Sequence, residues 1–141
     1  MNTAYPAFQD ALTSVVTAAV TGTPVSLGYP TGGLKSSHVW IAGTGSVQPS
    51  DGVSGYGQRD ETMMTEIRIK VDHLGNSYTT ARNSAFALAS TIEDALGADV
   101  TLGGVVGFAR VTEMQLDEAI PDERTRSVGL ALTVTAEASV G

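Results

Sequence analysis

Residues 61–96 constrain the fold more than any other part of the chain. Apolar and polar side chains alternate from Glu61 to His73, the pattern of a β-strand with one buried face. After a turn at Gly75-Asn76, apolar residues recur every three or four positions as far as Leu96, which is typical of an amphipathic helix. A strand and a helix joined by so short a turn must fold back on each other, so we expect this pair to form the centre of the core. The inward-facing strand positions are Thr65, Ile67, Ile69, Val71 and His73.

The remaining segments predict a second helix and further strands. Pro6 suits the first turn of a helix, and the strands are bounded by turn residues. The predicted elements are a helix over 7–20, short strands over 24–29 and 37–42, and long strands over 105–116 and 124–138. The long strands should pair as an antiparallel hairpin with an acidic loop, 117–123, at its tip. The sequence therefore predicts one α+β domain, residues 1–141, with an antiparallel sheet of four or five strands and two helices packed on one face. We expect Trp40 to anchor the core.

A long segment rich in Gly and Ser, Gly43 to Asp60, shows no periodicity. Its glycines match neither a dinucleotide-binding pattern nor a phosphate-binding loop. Long loops without periodicity are usually functional or disordered. We therefore predict an extended arm that becomes ordered on a partner, with Tyr56 and Arg59 as anchors.

Composition excludes several classes of function. The chain has 141 residues, of which 42% are hydrophobic, so a folded core is expected. Its net charge of −7, with only 8 scattered basic residues, argues against sequence-independent binding to nucleic acid. The absence of cysteine rules out disulfides and thiolate metal sites and suits a reducing cytoplasm. We expect neither a secretory signal nor a membrane span.

The sequence offers few candidates for catalysis. Its two histidines, His38 and His73, fall within strand patterns, where a partly buried structural role is the default. No serine lies in a nucleophile-elbow pattern, and the acidic residues near 113–123 match no calcium loop. We predict no catalytic residues, no cofactor and no metal site. A small hydrolase or ligand-binding enzyme using His38 or His73 remains the alternative from another class.

One face of the strand over 124–138 carries mostly small and hydroxylic residues, which suggests a covered surface. Four further patterns are distinctive: Arg59-Asp60-Glu61-Thr62, Asn76-Ser77-x-x-x-Ala81-Arg82, Asp99-Val100-Thr101-Leu102-Gly103-Gly104 and Arg126-x-Val128-x-Leu130-x-Leu132-x-Val134. With these patterns and its order of elements, the chain resembles the tail terminator proteins of long-tailed bacteriophages, especially those that infect actinobacteria.

The resemblance implies a structural virion protein of the tail or neck, assembled in the host cytoplasm. Such proteins form a hexameric ring that caps the tail tube, stops its polymerisation and joins the tail to the head connector, while double-stranded DNA passes through the lumen without specific binding. The implied partners are copies of the chain itself, the tail tube protein and a connector or stopper protein. Head-tail stopper and tail tube subunit are the alternatives within virion assembly. The candidate interface residues are Ser46, Tyr56, Arg59, Arg126, Thr133 and Thr135. The acidic residues expected at the lumen are Asp117, Glu118, Asp122 and Glu123.

Overall fold

The computed structural model describes residues 3–30, 36–53, 59–74, 77–122 and 124–140; for residues 50–53, 59, 74 and 120–122 it describes the backbone. The described residues form two helices and five strands. In order they are α1 (Tyr5–Ala19), β1 (Val25–Leu27), β2 (Ser37–Val53), β3 (Arg59–Leu74), α2 (Tyr78–Ala98), β4 (Phe108–Asp122) and β5 (Thr125–Val140). The predicted turn at Gly75-Asn76 lies outside the described residues.

The strands form one sheet in the order β1-β2-β3-β5-β4. Its three long pairings are antiparallel, whereas β1 runs parallel to β2, so the sheet is mixed and the expectation of a purely antiparallel sheet is wrong at this edge. Residues 28–36 link the two parallel strands. At about 3.3 Å per residue this connection is long enough to return to the level at which β1 begins. The α+β class is confirmed.

The predicted strand–helix pair forms the centre of the core. Alternate residues of β3 are buried, from Met63 through Ile67 and Ile69 to Val71, while their neighbours are exposed or half-buried. Both helices contribute to the same apolar cluster on this side of the sheet. Each large aliphatic side chain buried there stabilises the fold by about 1.5–3 kcal/mol. The helical members of the cluster are Phe8, Leu12 and Val16 from α1 and Ala81, Ala85, Ala89, Ile92 and Leu96 from α2.

Residues 43–53 continue β2 and residues 59–60 begin β3, so the prediction of a loop is wrong for this described part of the segment. β2 runs to Val53 and pairs with β3 as far back as Arg59, with irregularities after Ile41 and after Pro49. Val47 packs against the core from this segment. The Gly- and Ser-rich composition conceals the strand in the sequence. Small residues there let another part of the chain approach the backbone closely and do not bury large side chains. Residues 54–58, including Tyr56, lie outside the described residues.

β4 corrects one further expectation. The predicted acidic loop 117–123 is mostly strand, since Asp122 still pairs with Thr125. Between Val111 and Glu113 the register shifts, so Phe108 and Leu116 lie on opposite faces of the sheet. Charged residues are accommodated because β4 is an edge strand whose residues 112–119 are all exposed. Glu123 is outside the described residues.

Candidate interaction surface

One side of the sheet lies open in the described part of the chain, because both helices pack on the other side. We call this side the open face. It presents the alternate residues of β2–β5 that point away from the helices: Ser46, Trp40, Met64, Arg68, Lys70, Ser127, Gly129, Ala131, Thr133, Thr135 and Asp117. Covering of this face by another molecule, suggested by its small residues, stays a prediction.

The small residues of β5 form the floor of a shallow depression. Gly129 and Ala131 lie between the longer side chains of β3 and those of β4. The depression measures about 220 Å³, with Trp40 and Arg68 on one side and Asp117 on the other. A concave floor of this kind accepts a protruding side chain or a strand from another molecule.

The charges of β3 on the open face are paired along the strand. Arg68 contacts Glu66 at 3.3 Å, and Lys70 contacts Asp72 at 2.8 Å. Because both pairs are partly exposed, each contributes only about 0–1 kcal/mol to stability. The four charges of these two pairs sum to zero. This part of β3 therefore attracts neither phosphate groups nor cations.

An aromatic corner lies at the β1–β2 edge of the open face. The Trp40 ring is 5.7 Å from the Tyr29 ring and 6.3 Å from the His38 ring, both edge-on. The expectation that Trp40 anchors the core is wrong: Val39 and Ile41 point to the helices, so Trp40 points to the open face, where it is half-buried. Tyr29 is 65% exposed. Trp and Tyr are enriched at the centres of protein interfaces.

Three predicted interface residues come together on the open face. Ser46 pairs with Met64 across β2–β3, and Met64 pairs with Thr135 across β3–β5. A second depression, of about 300 Å³, is lined by Ser46 and Thr133. The structure thus brings Ser46, Thr133 and Thr135 into one surface.

Arg126 and Arg59, which were also predicted at the interface, are not placed on this surface. Arg126 pairs with His73 on the helix side of the sheet, at the opposite end. Arg59 is placed only by its backbone, which pairs with Val53 and Val140.

Two of the predicted acidic residues, Asp117 and Glu118, lie on opposite faces of the sheet. Asp117 pairs with Gly129 and points to the open face, whereas Glu118 pairs with Val128 and points to the helix side. The side chain of Asp122 is not described. Within the described ranges, no group of three or more His, Asp or Glu residues could hold a metal ion. In the same ranges no helix combines the length and apolarity needed to cross a bilayer.

The two histidines are placed as strand residues. His38 is buried, and its Nε2 lies 3.3 Å from Ser26 Oγ. The Ser26 hydroxyl also lies 3.2 Å from the Gly28 carbonyl, so which group donates in the Ser26–His38 contact depends on the tautomer of the imidazole. His73 is half-buried at the end of β3.

A buried carboxylate joins α1 to the helix side of the sheet, and the sequence reasoning missed its role. Glu61 is fully buried, and its Oε1 accepts from Ala4 N–H at 2.7 Å and from the Thr3 hydroxyl at 2.8 Å. Gln9 Nε2 donates to the Ala42 carbonyl at 3.3 Å. The first turn of α1 is therefore held against the base of the β2–β3 hairpin. The burial of Glu61 could have been predicted from sequence, because Glu61 is in phase with the inward-facing residues of its strand.

The fold and surface together define an α+β protein with a mixed five-stranded sheet and one uncovered sheet face. The fold is similar to that of a solved chain from the virion of a native gene transfer agent particle, with a TM-score of 0.53 and 18% sequence identity over 98% of this chain and 100% of that chain. At this identity the likeness concerns the fold. No protein-family model and no curated protein sequence matches the chain.

Proposed function

We propose that this protein is a structural component of a phage-like virion. The observation that carries the proposal is the likeness of fold, over the full length of both chains, to a chain of a gene transfer agent virion. The open face supports it, because it offers a broad surface of small, neutral and aromatic residues suited to contact with another protein. On this proposal its work is mechanical and does not depend on a reactive centre.

The finer proposal is a tail terminator. The protein forms a ring, expected to be a hexamer, that caps the tail tube, stops its polymerisation and joins the tail to the head connector. A cyclic ring needs two different patches on each subunit that mate head to tail. The open face around Thr133 and Thr135 is proposed as one of the two patches. Ser46 lies on the same surface, so the second patch lies elsewhere on the subunit. The sequence patterns of the terminator family support this choice over a stopper or a tube subunit.

An excess of acidic residues suits the wall of a channel through which DNA slides. A net charge of −7 repels a polyanion and disfavours sticking. We propose that the acidic end of the β4–β5 hairpin, residues 117–123, lies near the lumen. Because Asp117 and Glu118 point to opposite faces, only one of the two faces a lumen built from one side of the sheet.

Electron microscopy of the protein, alone and mixed with assembling tail tube protein, tests the proposal. A terminator gives single rings at tube ends and shorter tubes. Long cylinders grown from the protein alone would instead identify a tube subunit. Binding to a connector without any effect on tubes would identify a stopper.

The contact between Ser26 and His38 favours one alternative, a small hydrolase or ligand-binding enzyme. In that case His38→Ala would abolish turnover of an ester or peptide substrate while leaving the fold intact, and His73→Ala serves as the parallel variant. We expect neither substitution to change the low background hydrolysis, because His38 is a buried strand residue.

A further inference from the structure

We propose that copies of this chain meet edge to edge in the ring, with Leu27 of β1 in one copy against Met114 of β4 in the next. The inference rests on the proposed function, because it names a contact within that ring. The partner is a second copy of the chain, and the contact is separate from that of the open face.

One apolar row crosses the whole sheet on the helix side. In order across the paired strands, its members are Leu27, Ile41, Ile67, Leu132 and Met114. The three inner members are buried, whereas Leu27 is 47% exposed and Met114 is 37% exposed. The apolar layer of the core is therefore open at both ends of this row. A neighbour that joins the two ends removes both side chains from water, which is favourable.

The β4 end of the row belongs to a larger apolar patch. Leu116 follows Met114 on the same face of β4 and is 40% exposed. Phe86 of α2 is also exposed, and it lies about 200° around the helix from Leu88, at about 100° per residue. Leu88 lines a cavity with Ser37 of β2, so Phe86 lies on the side of α2 that is nearer β4. Phe86, Met114 and Leu116 thus form one apolar strip along the β4 edge.

The strand directions suit this contact. β1 is parallel to β2, and three antiparallel pairings separate β2 from β4, so β1 and β4 run in opposite directions. A ring axis parallel to the strands preserves these directions, so β1 of one copy meets β4 of the next as an antiparallel strand. The segment after α2 pairs with the outer side of β4 at Ala109, whose N–H donates to the Val100 carbonyl at 2.7 Å. Met114 lies five residues further along, among the exposed residues 112–119.

Charge favours the head-to-tail contact over a two-fold dimer. A two-fold pairing of β4 with itself about Gln115 would set Glu113 opposite Asp117, and both point to the open face. Like charges placed opposite each other on strands are destabilising. β1 reads Val-Ser-Leu and carries no charge, so it meets β4 without this repulsion. Two unlike edges that mate in this way generate a ring, and in a closed ring the contact covers both ends of the row in every copy.

Introduced cysteines test the contact, because the chain has none of its own. Within one copy, four strand spacings of about 4.8 Å separate Leu27 from Met114. A disulfide needs Cα atoms about 4.4–6.8 Å apart, so Leu27→Cys with Met114→Cys can bond only between copies. Leu27→Cys with Glu118→Cys is the matched control, because Glu118 is exposed on the same face of β4 but lies about 13 Å further along the strand. Each single variant is oxidised in parallel, under conditions in which electron microscopy shows rings on tubes.

The Leu27→Cys/Met114→Cys variant should give a ladder of covalent oligomers on a denaturing gel, and the control should not. Rings without this ladder would overturn the edge contact and leave the proposed ring in place. Covalent dimers from either single variant would also overturn it, because they indicate a two-fold edge. An equal ladder from the control would count against the contact, because it indicates collisions between free thiols.

Amide hydrogen exchange of the wild-type protein tests the contact without substitutions. Exchange at residues 25–27 and 114–116 should slow when rings assemble, and unchanged exchange at both segments would overturn the contact. If the wild-type protein forms no rings on tubes, the proposed function itself fails, and the contact fails with it.

Discussion

Glu61 couples a helix to the sheet from 57 residues away in sequence. Its carboxylate takes the place of a local N-cap, since Ala4, the residue before α1, has no side-chain cap of its own. A buried carboxylate is stable only where donors surround it, and Thr3 and Ala4 supply two. The residue therefore fixes where the first turn of α1 meets β3.

Replacing Glu61 should be costly. Glu61→Ala leaves the buried Ala4 N–H without its acceptor, and we expect a loss of about 1–3 kcal/mol in the free energy of unfolding. Glu61→Gln keeps an acceptor oxygen and should lose less. Urea denaturation measures both, with Glu66→Ala on the open face as the control, for which we expect a change below about 0.5 kcal/mol. Equal losses for Glu61→Ala and Glu66→Ala would contradict the role.

Gly45 tests the same junction from the β2 side. A Cβ at this position would overlap the Tyr5 hydroxyl and the Met64 carbonyl, whereas a Cβ at Gly43 meets nothing within 4 Å. We expect Gly45→Ala to cost about 1–3 kcal/mol, the usual range for overpacking. Gly43→Ala, measured by the same thermal or urea unfolding, should be close to neutral. A neutral Gly45→Ala would show that α1 does not pack on the hairpin as described.

At the scale of elements, sequence patterns predict those strands whose burial alternates without interruption. β3 and most of β5 follow a period of two, so their inward faces were predictable from sequence, although Ser127 and Ala131 of β5 are buried on the opposite face. β4 was not, because the irregularity at 111–113 changes which face each later residue occupies. The continuation of β2 was not predicted because Gly45 serves close backbone approach and Gly45 and Ser46 pair with β3, which composition alone does not distinguish from a loop.

The open face of β5 gives the element-scale prediction. Thr133 is half-buried beside Ser46, at the centre of the proposed interface. Thr133→Arg should leave the monomer folded and reduce ring formation on tubes at least about tenfold, because a long side chain at an interface centre blocks the close approach of the neighbour; tenfold corresponds to about 1.4 kcal/mol. Ser90→Arg, on the exposed side of α2, is the matched control. Circular dichroism checks the fold, and electron microscopy counts the rings. Normal ring counts for Thr133→Arg would exclude this face from the interface.

At the scale of the whole molecule, the α+β class and the helices on one side followed from the pattern of the sequence, while the usable surfaces did not. Register chains such as Ser46–Met64–Thr135 are set by strand pairing across distant segments, and no local pattern encodes them. The aromatic corner was not predicted from sequence for the same reason. Trp40 faces outward because its neighbours Val39 and Ile41 face the helices.

The central claim is that surfaces which mate with copies of this chain, and not a reactive pocket, carry its function. A high-resolution electron cryomicroscopy map of the tail end of an assembled particle tests it most directly. We predict a ring of this protein in which Thr133 and Thr135 are covered by a neighbour. A map in which the ring is present but the open face is exposed to solvent would contradict the account.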